Sequence, residues 1–258
     1  MIEIEKVRAA GEKIRLTAGL ATFPVGVSLL AGNGTPGTER LEGNRYCQAL
    51  MRARHGESVL LDAAGLACPA AARAFGFRPL PEKLASGEGL VTFGIVGDPS
   101  VGRTMFERMP AIETGMVKIL ELFPLERAER VPDVVVVEDE VERLMWIALA
   151  GLNAEGGRRV ESSTAILQAT CVDSTVIPFL EDRLNLSYGC YGCRDATDMA
   201  SGEAVLGFPL RMLLPIEREL SRLGQKAMPA SRAKRAYENL KTEAAARGSR
   251  VDCAKITD

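Results

Sequence analysis

The chain has 258 residues and a net charge of −2, with 47% apolar and 26% charged side chains. That length builds a full core as one large domain or two smaller ones, and the balance excludes both a disordered chain and a basic nucleic-acid binder. Aromatic residues make up only 5%, which argues against a surface that stacks bases or sugars.

The opening Met1-Ile-Glu-Ile-Glu-Lys-Val-Arg8 is charged and lacks the apolar stretch of a secretory signal. Leu20 to Gly32, the longest apolar run, contains Pro24 and is too short for a bilayer. A cytoplasmic location without membrane contact is therefore expected. In a reducing compartment the six cysteines are ligands, catalytic thiols or buried small residues rather than a disulfide framework.

In chain order, mixed charged and apolar residues at helical spacing predict an amphipathic helix from Glu3 to Leu20. Pro24 to Leu30 reads as a strand, Asn33 to Gly37 as a loop, Tyr46 to Arg54 as a helix and Ser58 to Asp62 as a strand. The single histidine, His55, falls at the polar end of that first short helix, where its charge suits the helix dipole. It is the sole imidazole for any Ser–His or Cys–His unit, and one histidine rules out a Cys₂His₂ finger. A helix starts at Cys68-Pro69 and runs to Phe75, and Gly89 to Val96 reads as a buried strand.

Asp98 caps a helix that runs to Arg108 with Pro99 in its first turn. The glycines of Gly94 to Gly102 make this strand-to-helix turn a candidate anion cradle, although it matches neither standard phosphate loop. Strands follow at Val117 to Phe123 and Val134 to Val137, then a helix from Val141 to Leu149. Ser162-Ser-Thr164 leads into a Cys171-bearing helix that ends near Leu180. Val205 to Phe208 is a short strand and Pro215 to Leu223 a helix.

This alternation predicts α/β or α+β layers in a single domain over residues 1–224, followed by a polar helical tail at 225–258 that carries Cys253. A weak repeat of element order suggests halves of about 20–124 and 125–224 around a shared cysteine-lined crevice, with Cys68 and Cys171 in related positions.

The chemistry concentrates in Asn185-Leu-Ser-Tyr-Gly-Cys-Tyr-Gly-Cys-Arg-Asp-Ala-Thr-Asp198. Cys190 and Cys193 form a C-x-x-C with a glycine before each sulfur, so backbone N–H groups can approach both thiolates. Cys171, Cys190 and Cys193 supply three ligands for an iron–sulfur cluster, with Cys68 as the fourth and Cys47 in reserve. A [4Fe-4S] cluster is the expected form, with zinc as the alternative, although zinc usually has two close pairs. A redox dithiol is a further rival, weakened because the pair is not preceded by a clear strand and does not open a clear helix. Plain burial would also account for small thiols. Arg194 and Asp195 are catalytic candidates beside the pair, while Arg45, Arg52 and Arg54 near Cys47 suit a phosphate or carboxylate, or a solvated face.

Together these motifs resemble the prokaryotic family called domain of unknown function 169. The segments that carry the resemblance are Tyr46 to Met51, Cys68 to Phe77, Pro132 to Val137, Ser163 to Gln168 with Cys171 to Ser174, and Leu186 to Asp195. The resemblance spans roughly residues 20–222 and leaves the tail outside. It implies a bacterial and archaeal family rich in anaerobes, which suits an oxygen-sensitive cofactor, and all five non-tail cysteines fall on its pattern. The expected activity is a redox or cluster-assisted enzyme acting on a small molecule, or one that serves a redox partner protein. The alternative is a non-catalytic metal- or ligand-binding accessory protein. A homo-oligomer stays open.

Overall fold

The structure is a computed structural model that describes residues 2–246. Cys253 lies outside the described residues, as does the end of the expected tail. Helix α1 (Ile4–Ala18) buries Val7, Ala10, Ile14 and Ala18, the stripe that its spacing requires. It is followed by β1 (Val25–Leu30), β2 (Glu39–Arg40), α2 (Tyr46–Arg54), β3 (Val59–Asp62) and α3 (Pro69–Ala74). Three short helices, α4 (Glu82–Ala85), α5 (Glu88–Thr92) and α6 (Pro99–Glu107), precede β4 (Ile119–Pro124). Next come β5 (Val134–Glu140), α7 (Val141–Ala154), a π-helix at Ala169–Val176, α8 (Ile177–Glu181), β6 (Asn185–Ser187), α9 (Tyr191–Ala196) and β7 (Glu203–Pro209). The described chain ends with α10 (Leu213–Gln225), α11 (Ala227–Arg232) and α12 (Arg235–Ala246). Arg232 fastens α11 back onto the domain through Glu142 and the Ala18 carbonyl.

The strands form one seven-stranded sheet in the order β2-β3-β4-β1-β5-β7-β6, parallel only between β2 and β3. Helices cover both faces. Val134 and Val136 of β5 join the cluster built with α2, α3 and the π-helix, while Val135 and Val137 join the one built with α1, α7 and α10. A strand buried on both sides has no polar face, which is why it reads as four valines in a row.

The chain is thus an α/β protein, as its alternation predicts. One expected strand is absent: Gly89 to Val96 forms α5 and a turn. An apolar run of that length fits a short helix as well as a strand, and only Gly89 and Leu90 of it are buried while Phe93 is 63% exposed. Gly87 precedes α5 with φ +85°, and a Cβ on Gly102 of α6 would sit 2.9 Å from the Gly87 Cα. The two helices therefore cross at their glycines, a contact that a flat strand does not make.

The two strand sets share one arrangement. β1, β3 and β4 lie with the last of them in the middle, and so do β5, β6 and β7. Val25 pairs with Pro124 as Val134 pairs with Pro209, and each proline leads from Phe-Pro-Leu into a 3-10 turn. Where the sets join, Gly26 faces Val135, and the flanking pairs exchange with each other across that point. The outer registers agree as well, Val59 with Leu122 and Asn185 with Gly207. Element order, rather than register, then corrects the expected pairing of Cys68 with Cys171. Cys68 and Cys190 are the counterparts, each the N-cap of a short helix that follows an outer strand, and Cys171 answers to Cys47.

Candidate functional site

Five cysteines lie on the α2 face of the sheet, four of them in one buried cluster with Cys68 packed against it. Cys47, Cys171, Cys190 and Cys193 are buried and Cys68 is half-buried. Cys47 comes from α2, Cys68 from the start of α3, Cys171 from the π-helix, and the last two from α9. The Sγ atoms of Cys190 and Cys193 are 3.0 Å apart, and the Cys193 N–H donates to Cys190 Sγ at 3.4 Å. Thr170 Oγ1 lies 3.4 Å from Cys193 Sγ, and Cys193 also reaches Cys47. Burial pushes the Cys171 thiol well above its ordinary pKa, and the neighbouring sulfurs of Cys68, Cys193 and Cys190 add to the effect. Cys190 is raised by its bond to Cys193 and by burial. At Cys193 the Cys190 bond pulls downward, but the Cys47 contact and burial carry the thiol to about 12. The shifts favour the protonated thiol at Cys171, Cys190 and Cys193, and a positive charge placed beside them would favour the thiolate.

Local chemistry shapes the loop that carries the pair. β6 leads through Tyr188 and Gly189 into α9, which Cys190 caps. Gly189 has φ +87°, and a Cβ there would lie 2.8 Å from the Met199 methyl. Arg194 donates to the carbonyls of Tyr188 (2.6 Å), Ala200 (2.7 Å) and Glu203 (2.9 Å). The expected catalytic arginine is therefore committed to tying the loop. Asp195 is more than half exposed and faces Arg45 at 3.3 Å, while Arg45 also donates to the Gly192 carbonyl. The pair thus follows a strand and opens a helix, which corrects the argument raised against a dithiol. The strand was hidden because Asn185 and Ser187 are polar yet buried, bonded to Asp173 and to the 162–164 segment.

The remaining sequence candidates fall elsewhere. Arg52 pairs with Glu39 and Glu57. At the α6 N-terminus the Asp98 carboxylate accepts from Ser100 N–H, so the residue's own anion fills that cradle. His55 is about half exposed at the end of α2, as expected, and its Nε2 lies 2.7 Å from Asp198 Oδ2. Sequence reasoning missed the buried Arg54–Glu138–Glu203 group, whose members are scattered along the chain with no spacing to connect them.

Among the described residues, no three of His, Cys, Asp and Glu stand ready-placed around a single metal ion. Two cavities stand out among them. One of about 400 Å³ is bounded by Arg158, Arg159, Arg183 and Arg211, the other of about 500 Å³ by Lys13, Ser221 and Arg232, and neither includes a cysteine. No described helix is long and apolar enough to cross a membrane.

A mixed sheet with helices on both faces and a buried thiol group defines the class of protein. The model of domain of unknown function 169, described as an uncharacterised ArCR, matches residues 13–219, and the chain belongs to that family. An uncharacterised protein of Methanocaldococcus jannaschii, MJ0308, is 26% identical over 186 residues, covering 71% of this chain and 79% of the relative. No solved structure matches.

Proposed function

We propose that this chain binds an iron–sulfur cluster, of the [4Fe-4S] type, through Cys68, Cys171, Cys190 and Cys193, with Cys47 in reserve. One observation carries the reading: Cys171, Cys190 and Cys193 are buried in one cluster with Cys68 packed against it, although the four are spread from residue 68 to residue 193. Cys47 touches the set through Cys193, which suits a reserve position. Thiols packed this densely repel one another as thiolates, and a cation among them removes that penalty.

Holding a thiolate-bound group requires these side chains to rearrange, because among the described residues no three of His, Cys, Asp and Glu stand ready-placed around one metal ion. Two sulfurs sharing one tetrahedral metal such as zinc stand about 3.8 Å apart, given metal–sulfur bonds of about 2.3 Å, whereas in a [4Fe-4S] cluster each cysteine holds its own iron and the sulfurs lie farther apart. The Cys190–Cys193 separation of 3.0 Å is shorter than either site requires, so the pair must spread on binding. When bound, a cluster supplies electron transfer, or Lewis-acid chemistry where one iron stays open. The commitment of Arg194 to three carbonyls favours electron carriage or an accessory role over catalysis at this loop. Zinc in the same thiols is the alternative metal.

A second reading is a dithiol that cycles with a disulfide at Cys190–Cys193. Their 3.0 Å separation and the strand-to-helix setting favour it. Anaerobic purification followed by iron, zinc and acid-labile sulfide analysis separates the readings. Stoichiometric iron and sulfide, lost on Cys→Ser change at any of the four ligands and kept in Cys47→Ser, is the expected result. Iron-free protein, or iron unchanged in all four variants, refutes the cluster. A Cys190–Cys193 disulfide in metal-free protein establishes the second reading.

A further inference from the structure

Beyond the thiols, one buried charge group has no part in the reading above. Arg54 at the end of α2 and Glu138 on β5 each expose 3% of the side chain. Three carboxylates surround this one guanidinium: Asp198 at 2.5 Å, and Glu138 and Glu203 both at 3.5 Å. Arg54 Nε and Glu138 Oε1 have no hydrogen-bond partner, so the Arg54–Glu138 ion pair is not also a hydrogen bond. A buried centre with more acids than bases settles its charge by taking up a proton.

We propose that Glu138 and Asp198 compete for Arg54, so that a proton on Glu138 decides whether Asp198 keeps the 197–202 turn fastened to α2. Every charged group around Glu138 takes part. Arg54 and, through Asp198, His55 approach from α2, Arg194 from α9, Asp198 from the turn and Glu203 from β7. With Glu138 neutral, Arg54 holds Asp198 closely, and His55 supports the same carboxylate from its other oxygen. When Glu138 passes its proton to water, its charge is buried and Arg54 is its nearest counter-ion. Glu203 is 14% exposed and fixed in a strand, whereas Asp198 is 46% exposed and sits in a turn. Asp198 is the acid that water recovers at least cost, so it lets go. The released turn contains Met199, which packs under Gly189, and Ala200, whose carbonyl Arg194 holds. Loss of the Glu138 proton thereby loosens the support behind Cys190 and Cys193.

Burial carries Glu138 to about 7, which places the change in the neutral range. Hydrogen exchange of residues 196–203, corrected for intrinsic pH dependence, reads the fastening directly on the full chain as isolated. Protection falls about tenfold as pH rises from about 6 to 8, the loss of one charge-assisted hydrogen bond. In Glu138→Gln protection stays high throughout, and in Asp198→Asn it is low throughout. Wild-type protection independent of pH, or Glu138→Gln that follows the wild type, overturns the proposal. Should Glu138→Gln fail to fold, carbon-13 NMR of wild-type glutamate carboxyls decides. A carboxyl that titrates in step with the amides of residues 197–202 supports the switch, and the lack of one refutes it. Iron content does not enter this measurement, so it fails or succeeds independently of the cluster.

Discussion

Replacing Glu138 with glutamine should remove a defined part of the pH dependence of stability. Burial carries this carboxyl from 4.5 to about 7. Between those values the folded chain keeps a proton that the unfolded chain has lost. Folding therefore gains from Glu138 in full below about 4.5, and the gain disappears as pH rises through about 7. At 1.36 kcal/mol per unit the contribution is about 3 kcal/mol, undiscounted because only 3% of the side chain meets water. Asp173 is raised by burial from 3.8 to about 6, so it adds a slope of the same sign ending about one unit lower. Urea unfolding followed by far-UV circular dichroism at pH 5, 6, 7 and 8.5 measures both. The wild type should lose stability across the series, most of the loss above pH 6 coming from Glu138. Glu138→Gln should be nearly flat above pH 6. Equal slopes in the two proteins above pH 6 would refute the assignment of this buried proton to Glu138.

Other substitutions test the packing around the thiols. Gly207→Ala places a methyl group onto the Ser174 carbonyl oxygen, so the π-helix must lift from β7. A loss of about 3 kcal/mol or more in denaturant unfolding is expected, and unchanged stability would mean that the π-helix does not sit there. Arg194→Lys keeps the charge but loses the planar fork that reaches three carbonyls. It should cost about 1–3 kcal/mol and make Cys190 and Cys193 react faster with a thiol reagent, whereas wild-type reactivity would count against a tying role. Tyr46→Phe removes the buried 2.8 Å bond to Thr175 and should cost about 1 kcal/mol in the same unfolding assay.

How much was legible from the residues depends on where each signal lies. The four valines of β5 announce a strand covered on both faces, and Asp98-Pro99 announces a helix start, because each is a local physical requirement. β6 gave no such signal. Its inward residues are Asn185 and Ser187, which bond to Asp173 and the 162–164 segment where apolar contacts would be expected. Missing that strand also concealed the setting of the C-x-x-C. The thiol residues themselves were readable from the sequence, but their counterparts were not, since Cys68 and Cys190 are related only by their place after an outer strand, each at the N-cap of a short helix. Arg54, Glu138, Asp198 and Glu203 come from four separate elements, and only the folded chain puts them together.

The join between the two strand sets gives the thiol group an uneven mechanical character. β1 and β5 meet only over Val25–Val27 and Val134–Val136, whereas β5 and β7 are laced along Val134–Glu140. A small slide along that short seam would displace Cys47 and Cys68 relative to Cys171, Cys190 and Cys193. Cys190 and Cys193 ride together on α9 and keep their spacing. The five sulfurs thus divide into one jaw on the second strand set, Cys171 with the α9 pair, and another on the first, Cys47 with Cys68. The gap between the jaws is set by how the seam lies.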